Sequence, residues 1–351
     1  MAVSTCTRFV TKADQPRLLI TGASSGIGLE ASRRLVFDGY HLTLLCRTPQ
    51  RCRETSDRLE DDGADPDNLE VLPMDLADLE NVERGCQQLL ERGHHFDALI
   101  LNAGLQSVGV REPLFNPQGI EATFAVNQLA HQLILMRLLP LLLKSSQPRL
   151  VITASDVHNP SSGGGRVGRP AGLETMDGLN FGAGFLMVDG HSAYDADKAY
   201  KDSKLCNVLM GREVARQLQE QGHPIPVIAW SPGLVIPRGE GGFFRTSRQN
   251  NPLGLALFAL VARDLLRLTE SVQTAGALLA SLVNDDAYNK PGFAYYSNRL
   301  LGPGRHRFGS SPTSEEGADA SKASELWLRC EELISAGIQG DPPIAMVEPS
   351  T

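Results

Sequence analysis

The segment Thr21–Gly28, which reads TGASSGIG, constrains the fold of this 351-residue chain more than any other feature. It follows the short apolar run Arg17–Thr21, and the apolar residues of Leu29–Phe37 then recur at helical spacing. A strand, a glycine-rich turn and a helix in this order are typical of the first unit of an α/β fold that holds a dinucleotide. The start of such a helix offers free N–H groups and a favourable dipole to an anion.

Each glycine of this turn has a separate expected task. Gly22 lets the chain turn sharply, Gly26 lets the backbone approach a pyrophosphate, and Gly28 lets the helix pack close to the sheet. The expected cofactor contacts in the turn are Gly22, Ser24, Ser25, Gly26, Ile27 and Gly28. A purely structural turn is the less favoured reading, because the neighbouring apolar runs agree with a dinucleotide-binding unit.

Apolar runs and helical segments alternate along the chain. Further strands are predicted at His41–Cys46, Leu69–Pro73, Ala98–Leu101, Arg149–Thr153 and Val227–Trp230. Helices are predicted at Glu54–Leu59, Leu79–Arg92, Ile120–Leu143 and Ala199–Glu220. Continuously apolar strands are typical of a parallel sheet that helices cover on both faces. The sequence therefore predicts an α/β, doubly wound, Rossmann-like parallel sheet.

One domain with a long insertion accounts for the remaining segments. The predicted parts are a tail at 1–15, a domain at 16–340, an insertion at 156–197, a substrate lid region at 235–270, and a tail at 341–351. Pro252–Leu268 is interpreted as an amphipathic helix that packs on the core or a partner, with a lid or membrane-surface role as the alternative. Ser310–Ser321 is polar and is predicted to be a surface loop, whereas FAYYSN after Gly292 is predicted to be extended.

Composition excludes several classes of protein. Hydrophobic residues make up 42% and charged residues 21%, which is close to the usage of globular proteins. A net charge of −8 without a basic stripe argues against nucleic acid as a partner. The six cysteines form no CxxC pair, so no metal site and a reducing compartment such as the cytoplasm are expected. The first residues lack the apolar core of a signal peptide, and no stretch is long enough to span a membrane.

The end of the second strand indicates which dinucleotide is used. Arg47 stands where an acidic residue would hold the ribose 2′-hydroxyl of NAD, and Arg51 and Arg53 follow it. A guanidinium suits a 2′-phosphate, so NADP(H) is the predicted cofactor, and Ser24 can add a hydroxyl contact. A solvated surface charge is the alternative reading of Arg47. The other expected cofactor contacts are Asp75 and Leu76, Asn102, Ala103 and Gly104, and Pro232 and Gly233.

Four motifs together resemble the short-chain dehydrogenase/reductase family. They are TGASSGIG, LNAG at Leu101–Gly104, a serine after the fifth strand, and YKDSKLCN at Tyr200–Asn207. The resemblance covers roughly Arg17 to Trp230. It implies a catalytic tetrad, which falls here on Asn127, Ser155, Tyr200 and Lys204. It also implies that Tyr200 and Lys204 contact the cofactor, and that many relatives form dimers or tetramers.

The chemistry of a reductase explains these residue types. A tyrosine has an ordinary pKa near 10, and a nearby ammonium is expected to lower it so that the phenol exchanges protons at neutral pH. Four residues along a helix bring Lys204 onto the face of Tyr200, while Ser155 is expected to bind the substrate oxygen and Asn127 a water. Tyr194 and Lys198 also fit the YxxxK spacing. Tyr200 and Lys204 are favoured because, as in the family that the motifs resemble, Ser203 precedes that lysine and Asn207 follows it three residues later.

A closer resemblance links the chain to the light-dependent protochlorophyllide oxidoreductases. The motifs that carry it are the long gap before AYKDSKLCN, together with LLCR, PGFAYYSN and ASELWLRCEEL. It implies NADPH-dependent reduction of a ring double bond in a large apolar pigment, with Tyr200 as proton donor. It also implies a place in chlorophyll biosynthesis and photosynthesis, with possible peripheral contact to a photosynthetic membrane.

The chain departs from that family after the sixth strand. The pigment reductases carry a cysteine directly after this Pro-Gly, whereas this chain has Leu234, and leucine has no exchangeable proton. The first hypothesis is nevertheless a reductase of a tetrapyrrole. The second is a light-independent reductase or dehydrogenase of a retinoid-like or other lipophilic carbonyl, and the third is a non-catalytic nucleotide sensor. The complete tetrad of residue types disfavours the third.

Overall fold

The computed structural model describes residues 15–107, 109–236 and 243–339 of the chain. Its strands are β1 Arg17–Thr21, β2 His41–Cys46, β3 Leu69–Pro73, β4 Ala98–Leu101, β5 Arg149–Thr153, β6 Pro226–Ser231, β7 Gly292–Gly302 and β8 Arg305–Ser310. In these described ranges they form one sheet in the order β3-β2-β1-β4-β5-β6-β7-β8. Strands β1 to β7 are parallel, and β8 pairs antiparallel with β7.

The strand order reverses between β1 and β4, as in a doubly wound sheet, so the predicted fold class is confirmed. The carboxyl ends of the two strands diverge there and leave a cleft. All the strands predicted from apolar runs are present, with differences of a residue at their ends, and the extended FAYYSN segment lies in β7. Strand β8 was not foreseen because its sequence, RHRFGS, is too polar to read as a buried strand.

Helices cover both faces of the sheet. They are α1 Gly26–Phe37, α2 Pro49–Asp61, α3 Leu79–Arg92, α4 Ala122–Phe124, α5 Ala130–Leu142, α6 Ala196–Glu220, α7 Arg245–Asn250, α8 Pro252–Ala259, α9 Val272–Asn284 and α10 Ala320–Gln339. Helices α3, α5, α6 and α10 pack in the core on one face, and α1, α2 and α9 pack in the core on the other. This double cover explains why the central strands are apolar along their whole length.

The helix predicted at Ile120–Leu143 is interrupted, which corrects the expectation of one continuous helix. The π-helical segment Ala125–Leu129 separates α4 from α5. Within it, the backbone carbonyl of Asn127 accepts hydrogen bonds from the side chains of His131 (3.1 Å) and Asn207 (2.7 Å). Such segments are frequent at functional sites, and this one places Asn127 beside the cleft.

The insertion at 156–197 contains little regular structure but is firmly packed. Six of its apolar side chains join the same core as α6 and α10: Ala171, Leu173, Met176, Leu179, Phe185 and Val188. The backbone of Gly172 is held from both sides, since its carbonyl accepts from Lys198 Nζ (2.8 Å) and its N–H donates to Asp202 Oδ1 (3.0 Å). Lys201 Nζ donates to the carbonyl of Arg169 at 2.9 Å. The helix that carries the YKDSK motif therefore also anchors the insertion.

Two predictions for the C-terminal third hold only in part. The segment Pro252–Leu268 is helical through α8 and the π-helical segment Leu260–Leu265, but apolar residues surround α8, and the charged residues Arg263 and Asp264 follow only in the π-helical segment. Several of them remain exposed, with Leu253 at 84% and Leu265 at 67%. The segment Ser310–Ser321 is not wholly a surface loop, because Ser314 is buried. In the described ranges, no helix has both the length and the apolar character needed to cross a bilayer.

The domain boundaries stay a proposal. Strands, helices and both cores of the described residues fall within the expected domain at 16–340. The expected tails at 1–15 and 341–351 lie almost wholly outside the described residues.

A buried ion pair between the insertion and α6 yields the first prediction. Lys198 Nζ lies 2.6 Å from Asp202 Oδ2 and 3.3 Å from Asp189 Oδ2, and all three side chains are almost fully buried. Substituting Lys198→Ala should lower the free energy of unfolding by about 3–5 kcal/mol, because it leaves two buried carboxylates without their cation. Urea unfolding followed by circular dichroism measures this loss.

Arg84→Ala is the matched control, since Arg84 pairs with Glu80 at 3.5 Å on the exposed surface of α3. Its loss should be under about 1 kcal/mol. Equal losses for the two variants would contradict the anchoring role of Lys198.

Candidate active site

A cavity of about 1800 Å³ opens at the carboxyl ends of the strands. It brings together the residues that sequence analysis singled out at separate places. Those that line it are Gly22, Ser24, Ser25, Gly26, Ile27, Gly28, Arg47, Asp75, Leu76, Asn102, Ala103, Gly104, Ser155, Tyr200, Lys204, Pro232 and Gly233. Asn127 is fully buried behind this wall and does not line the cavity.

The glycine turn forms one end of the cavity. Gly22 has a φ of +70°, and a Cβ there would lie 2.8 Å from the Cα of Ala103. A Cβ on Gly28 would lie 2.3 Å from the carbonyl oxygen of Gly22, so helix α1 could not pack as closely with any larger residue. Helix α1 begins at Gly26, and within the described residues its N-cap, Ser25, makes no side-chain capping hydrogen bond. The first N–H groups of α1 are therefore available to an anion in the cavity.

Thr21 ties the turn to the end of β4. Its Oγ1 accepts hydrogen bonds from the backbone N–H groups of Asn102 and Ala103, both at 2.8 Å. Its own proton then points to His131 Nε2, at 3.0 Å. Sequence analysis missed Thr21 and His131 in this role. The hydroxyl of Thr21 at the end of a buried strand could have indicated a polar contact. Its partner His131, however, is 110 residues away in the sequence and could not be identified.

Basic side chains surround the cavity at the end of β2. Arg47 is half exposed, and its Nε lies 3.8 Å from Asp75 Oδ1. Arg33, Arg51 and Arg58 also line this end, whereas Arg53 is exposed outside the lining. The lining at this end thus holds four guanidinium groups and two carboxylates, Glu30 and Asp75, and a guanidinium suits a phosphate on the ribose.

Tyr200 and Ser155 lie in contact at the centre of the cavity. Tyr200 is buried, and the Ser155 side chain lies close enough to its phenol to affect its pKa. Burial raises the pKa of Tyr200 well above its ordinary value, and Ser155 opposes this only in part. The expectation that Lys204 lowers this pKa stays a prediction.

Lys204 lies one helical turn from Tyr200 on α6. Its Nζ is 5.9 Å from the centre of the Tyr200 ring, and it donates to the Thr153 carbonyl (2.8 Å) and to Asn207 Oδ1 (3.2 Å). Burial lowers the pKa of Lys204 to about 7. The predicted proximity of the two side chains is thus present, and neutral partners hold the lysine in place.

Asn127 is held from both sides in the π-helical segment. Its Oδ1 accepts from the N–H of Leu105 (2.8 Å), and its Nδ2 donates to the carbonyl of Leu105 (3.0 Å) and to Ser203 Oγ (2.9 Å). These bonds fix the amide next to the loop that follows β4. The water that sequence analysis assigned to Asn127 stays a prediction.

The rival pair, Tyr194 and Lys198, does not line the cavity. The Tyr194 hydroxyl donates to Glu121 Oε1 at 3.4 Å, and Lys198 belongs to the buried ion pair of the insertion. Burial and the Glu121 carboxylate raise the pKa of Tyr194. Both side chains thus have partners away from the cavity. Of the two pairs, Tyr200 and Lys204 is the one that faces the cavity.

Apolar side chains form the other half of the cavity. They include Leu234, Phe243, Phe244, Phe258, Leu268 and Leu300. The ring of Phe243 lies edge-on to Tyr200, with 5.3 Å between ring centres. Most of these residues fall in or beside the lid region expected at 235–270. Residues 237–242 of that region lie outside the described residues. The surface next to Tyr200 therefore suits a large apolar molecule.

The structure also groups Glu174, Asp189 and His191 of the insertion, with donor atoms within 4.8 Å of one another. Sequence analysis foresaw no such group. Asp189 is already occupied, since its Oδ1 accepts from the N–H of Ser192 (2.9 Å) and its Oδ2 pairs with Lys198. In the described ranges the cysteines are buried free thiols, and Cys6 lies outside those ranges.

The doubly wound sheet, the glycine turn and the residues gathered in the cleft define the class of protein, a Rossmann-type oxidoreductase. Comparison with known proteins gives the family. Residues 17–165 match the family model for short chain dehydrogenases. The chain is 32% identical to "Protochlorophyllide reductase A, chloroplastic" of Oryza sativa subsp. japonica, over 90% of this chain and 80% of the relative. It is 31% identical to "Protochlorophyllide reductase" of Avena sativa, over 90% of this chain and 99% of the relative.

A crystal structure of an uncharacterised protein from Mycobacterium paratuberculosis has the same fold, with a TM-score of 0.63 and 24% identity over 93% of this chain and 97% of that one. The chain belongs to the short-chain dehydrogenase/reductase family, close to the protochlorophyllide reductases. The resemblance inferred from the motifs is therefore confirmed.

Proposed function

We propose that this protein is an NADPH-dependent reductase that acts on a double bond of a large apolar substrate, with a tetrapyrrole of the protochlorophyllide type as the first candidate. One observation carries the proposal. Tyr200, next to Ser155 and one helical turn from Lys204, lies where the glycine turn and an apolar pocket meet in one cavity.

The residues present fit NADP(H). The unoccupied N–H groups at the start of α1 and the close approach of Gly22 to Ala103 form a cradle for the pyrophosphate. Arg47, with Ser24 nearby, would hold the 2′-phosphate, while Asp75 and Leu76 would border the adenine. The strand-end residues Asn102, Ala103 and Gly104, together with Pro232 and Gly233, would border the nicotinamide half.

The chain's own residues supply the proton. When bound, the nicotinamide supplies a hydride to one carbon of the double bond. Tyr200 donates its phenolic proton to the neighbouring atom, and its raised pKa keeps that proton in place until the substrate gains charge. Ser155 donates a hydrogen bond to the polarised group, and Lys204, next to Tyr200, stabilises the phenolate that forms. Asn127 fixes the loop at Leu105 and thereby the wall of the cavity.

A tetrapyrrole is the first candidate for three reasons. The named relatives act on protochlorophyllide, the insertion before the catalytic helix is of the kind that they carry, and the cavity is large and apolar beside Tyr200. This substrate would place the enzyme in chlorophyll biosynthesis. Helix α8 carries exposed apolar side chains, and one of its residues, Phe258, lines the cavity. This exposed apolar surface supports peripheral contact with a membrane that contains the substrate.

Leu234 favours a second candidate function. It lines the cavity where the pigment reductases carry a cysteine, and it offers only an apolar surface. A light-independent reduction of a retinoid-like or other lipophilic carbonyl uses the same hydride and the same proton from Tyr200. It needs no thiol at this position.

Difference spectra decide between the two substrates. The protein with NADPH should shift the absorption of protochlorophyllide in darkness, and a flash should convert the bound pigment if light drives the reaction. The absence of any pigment binding would exclude the tetrapyrrole. Oxidation of NADPH in darkness with a panel of lipophilic aldehydes and ketones would then support the second function.

Tyr200→Phe tests the proton donor in either case. Turnover should fall by about 10²–10⁴-fold because the only change is the loss of the donated proton. Binding of NADPH, followed by its fluorescence, should persist. Tyr194→Phe is the matched control and should keep turnover within about twofold, since Tyr194 contacts Glu121 outside the cavity. An active Tyr200→Phe protein would overturn the assignment.

Arg47→Ala tests the choice of dinucleotide. Affinity for NADPH should fall about 10- to 100-fold, the equivalent of one charge-assisted hydrogen bond, while affinity for NADH should stay nearly constant. Fluorescence titration with each nucleotide measures both values. Arg53→Ala, on the exposed side of α2, should change neither. Equal weakening of both nucleotides by Arg47→Ala would show that Arg47 does not recognise the 2′-phosphate.

A further inference from the structure

Asp156 directly follows Ser155 and is bonded to a distant strand. Its Oδ1 accepts a hydrogen bond from the Tyr295 hydroxyl (2.8 Å), and its Oδ2 accepts one from Ser297 Oγ (2.5 Å). Both donors project from the same face of β7, two residues apart. A carboxylate with two hydroxyl donors is held in position and direction, so the backbone next to Ser155 is held as well.

Other bonds fix the same turn. The N–H of Asp156 donates to Ser231 Oγ (3.0 Å), at the end of β6. His158 Nδ1 donates to the carbonyl of Ser155 (2.7 Å), because Nε2 accepts from the N–H of Ser314 (3.1 Å) and Nδ1 must then carry the proton. Burial lowers the pKa of His158, which keeps it neutral and suited to this double role.

Tyr295 is the central member of this group. It is buried, does not line the cavity, and lies edge-on to His158 with 5.0 Å between ring centres. Burial, together with the Asp156 carboxylate, raises its pKa, so its hydroxyl stays a donor. A phenylalanine would fill nearly the same volume, so the hydroxyl is the feature that distinguishes tyrosine at this position.

We propose that Asp156 and Tyr295 are positioning residues that hold the Ser155 hydroxyl against the phenol of Tyr200. This inference rests on the proposed function, in which Ser155 polarises the substrate. The inference adds that β7 and the loop that carries Ser314 together set the position of Ser155, which follows β5. Tyr295 does not line the cavity, and its hydroxyl bonds to Asp156, which directly follows Ser155.

The variant Tyr295→Phe removes one donor and keeps the ring. We expect kcat to fall about 10- to 100-fold from a displacement of Ser155 by about an ångström, with the affinity for NADPH unchanged. Tyr296→Phe is the matched control, since the neighbouring ring packs on Tyr288 and Phe308 on the opposite face of β7. It should leave kcat unchanged.

A double variant separates positioning from a general structural effect. In a Ser155→Ala background, the further change Tyr295→Phe should have no effect on the residual rate, because residues that act through one group are not additive. An unchanged tenfold effect in that background would overturn the proposal. Asp156→Asn serves if Tyr295→Phe folds poorly. It keeps the size of the side chain, loses the charge, and should lower kcat in the same direction.

Crystal structures of the wild type, Tyr295→Phe and Tyr296→Phe give a readout that needs no substrate. The Ser155 hydroxyl should lie against the Tyr200 phenol in the wild type and in Tyr296→Phe, and only in Tyr295→Phe should it be displaced, by about an ångström. If it is not displaced there, the positioning role is excluded whatever the substrate proves to be. If it is displaced and the wild-type protein reduces neither pigment nor carbonyl, the proposed function fails while the positioning role stands.

Discussion

A line of hydrogen bonds across the carboxyl ends of four strands holds the two halves of the site together. Asn102 Nδ2 donates to the carbonyl of Thr21 (3.1 Å), Thr153 Oγ1 donates to Asn102 Oδ1 (3.3 Å), and Trp230 Nε1 donates to Thr153 Oγ1 (3.0 Å). Lys204 then bonds to the Thr153 carbonyl (2.8 Å). Since these groups are buried, each lost partner would cost a desolvated polar atom. These bonds therefore fix the glycine turn and helix α6 in position relative to each other.

Burial has opposite effects on the pKa values of Tyr200 and Lys204, the two groups proposed to take part in proton transfer. It raises the pKa of Tyr200 and lowers that of Lys204 to about 7, because a low-dielectric site disfavours charge on either. A raised pKa favours the neutral phenol, which suits the proposed proton donation better than proton removal.

Local pattern was enough to predict much of the molecule. Continuous apolar runs predicted the parallel strands. The glycine-rich motif predicted the turn at the end of the cavity, and the YKDSK motif predicted which tyrosine faces that cavity. Contacts between distant residues were not accessible in this way: Thr21 with His131 and Asp156 with Tyr295 join positions more than 100 residues apart. The burial of Tyr200 was also not accessible, because spacing along a helix shows proximity and does not show the extent of burial.

Charged side chains of α6 bind the backbone of the insertion, so the two segments depend on each other. Lys198 and Asp202 on α6 bind the backbone of Gly172, and Lys201 binds that of Arg169. Deleting the insertion would remove these backbone partners from side chains that lie within one turn of Tyr200. Shortening the segment would therefore also disturb the helix that carries Tyr200 and Lys204.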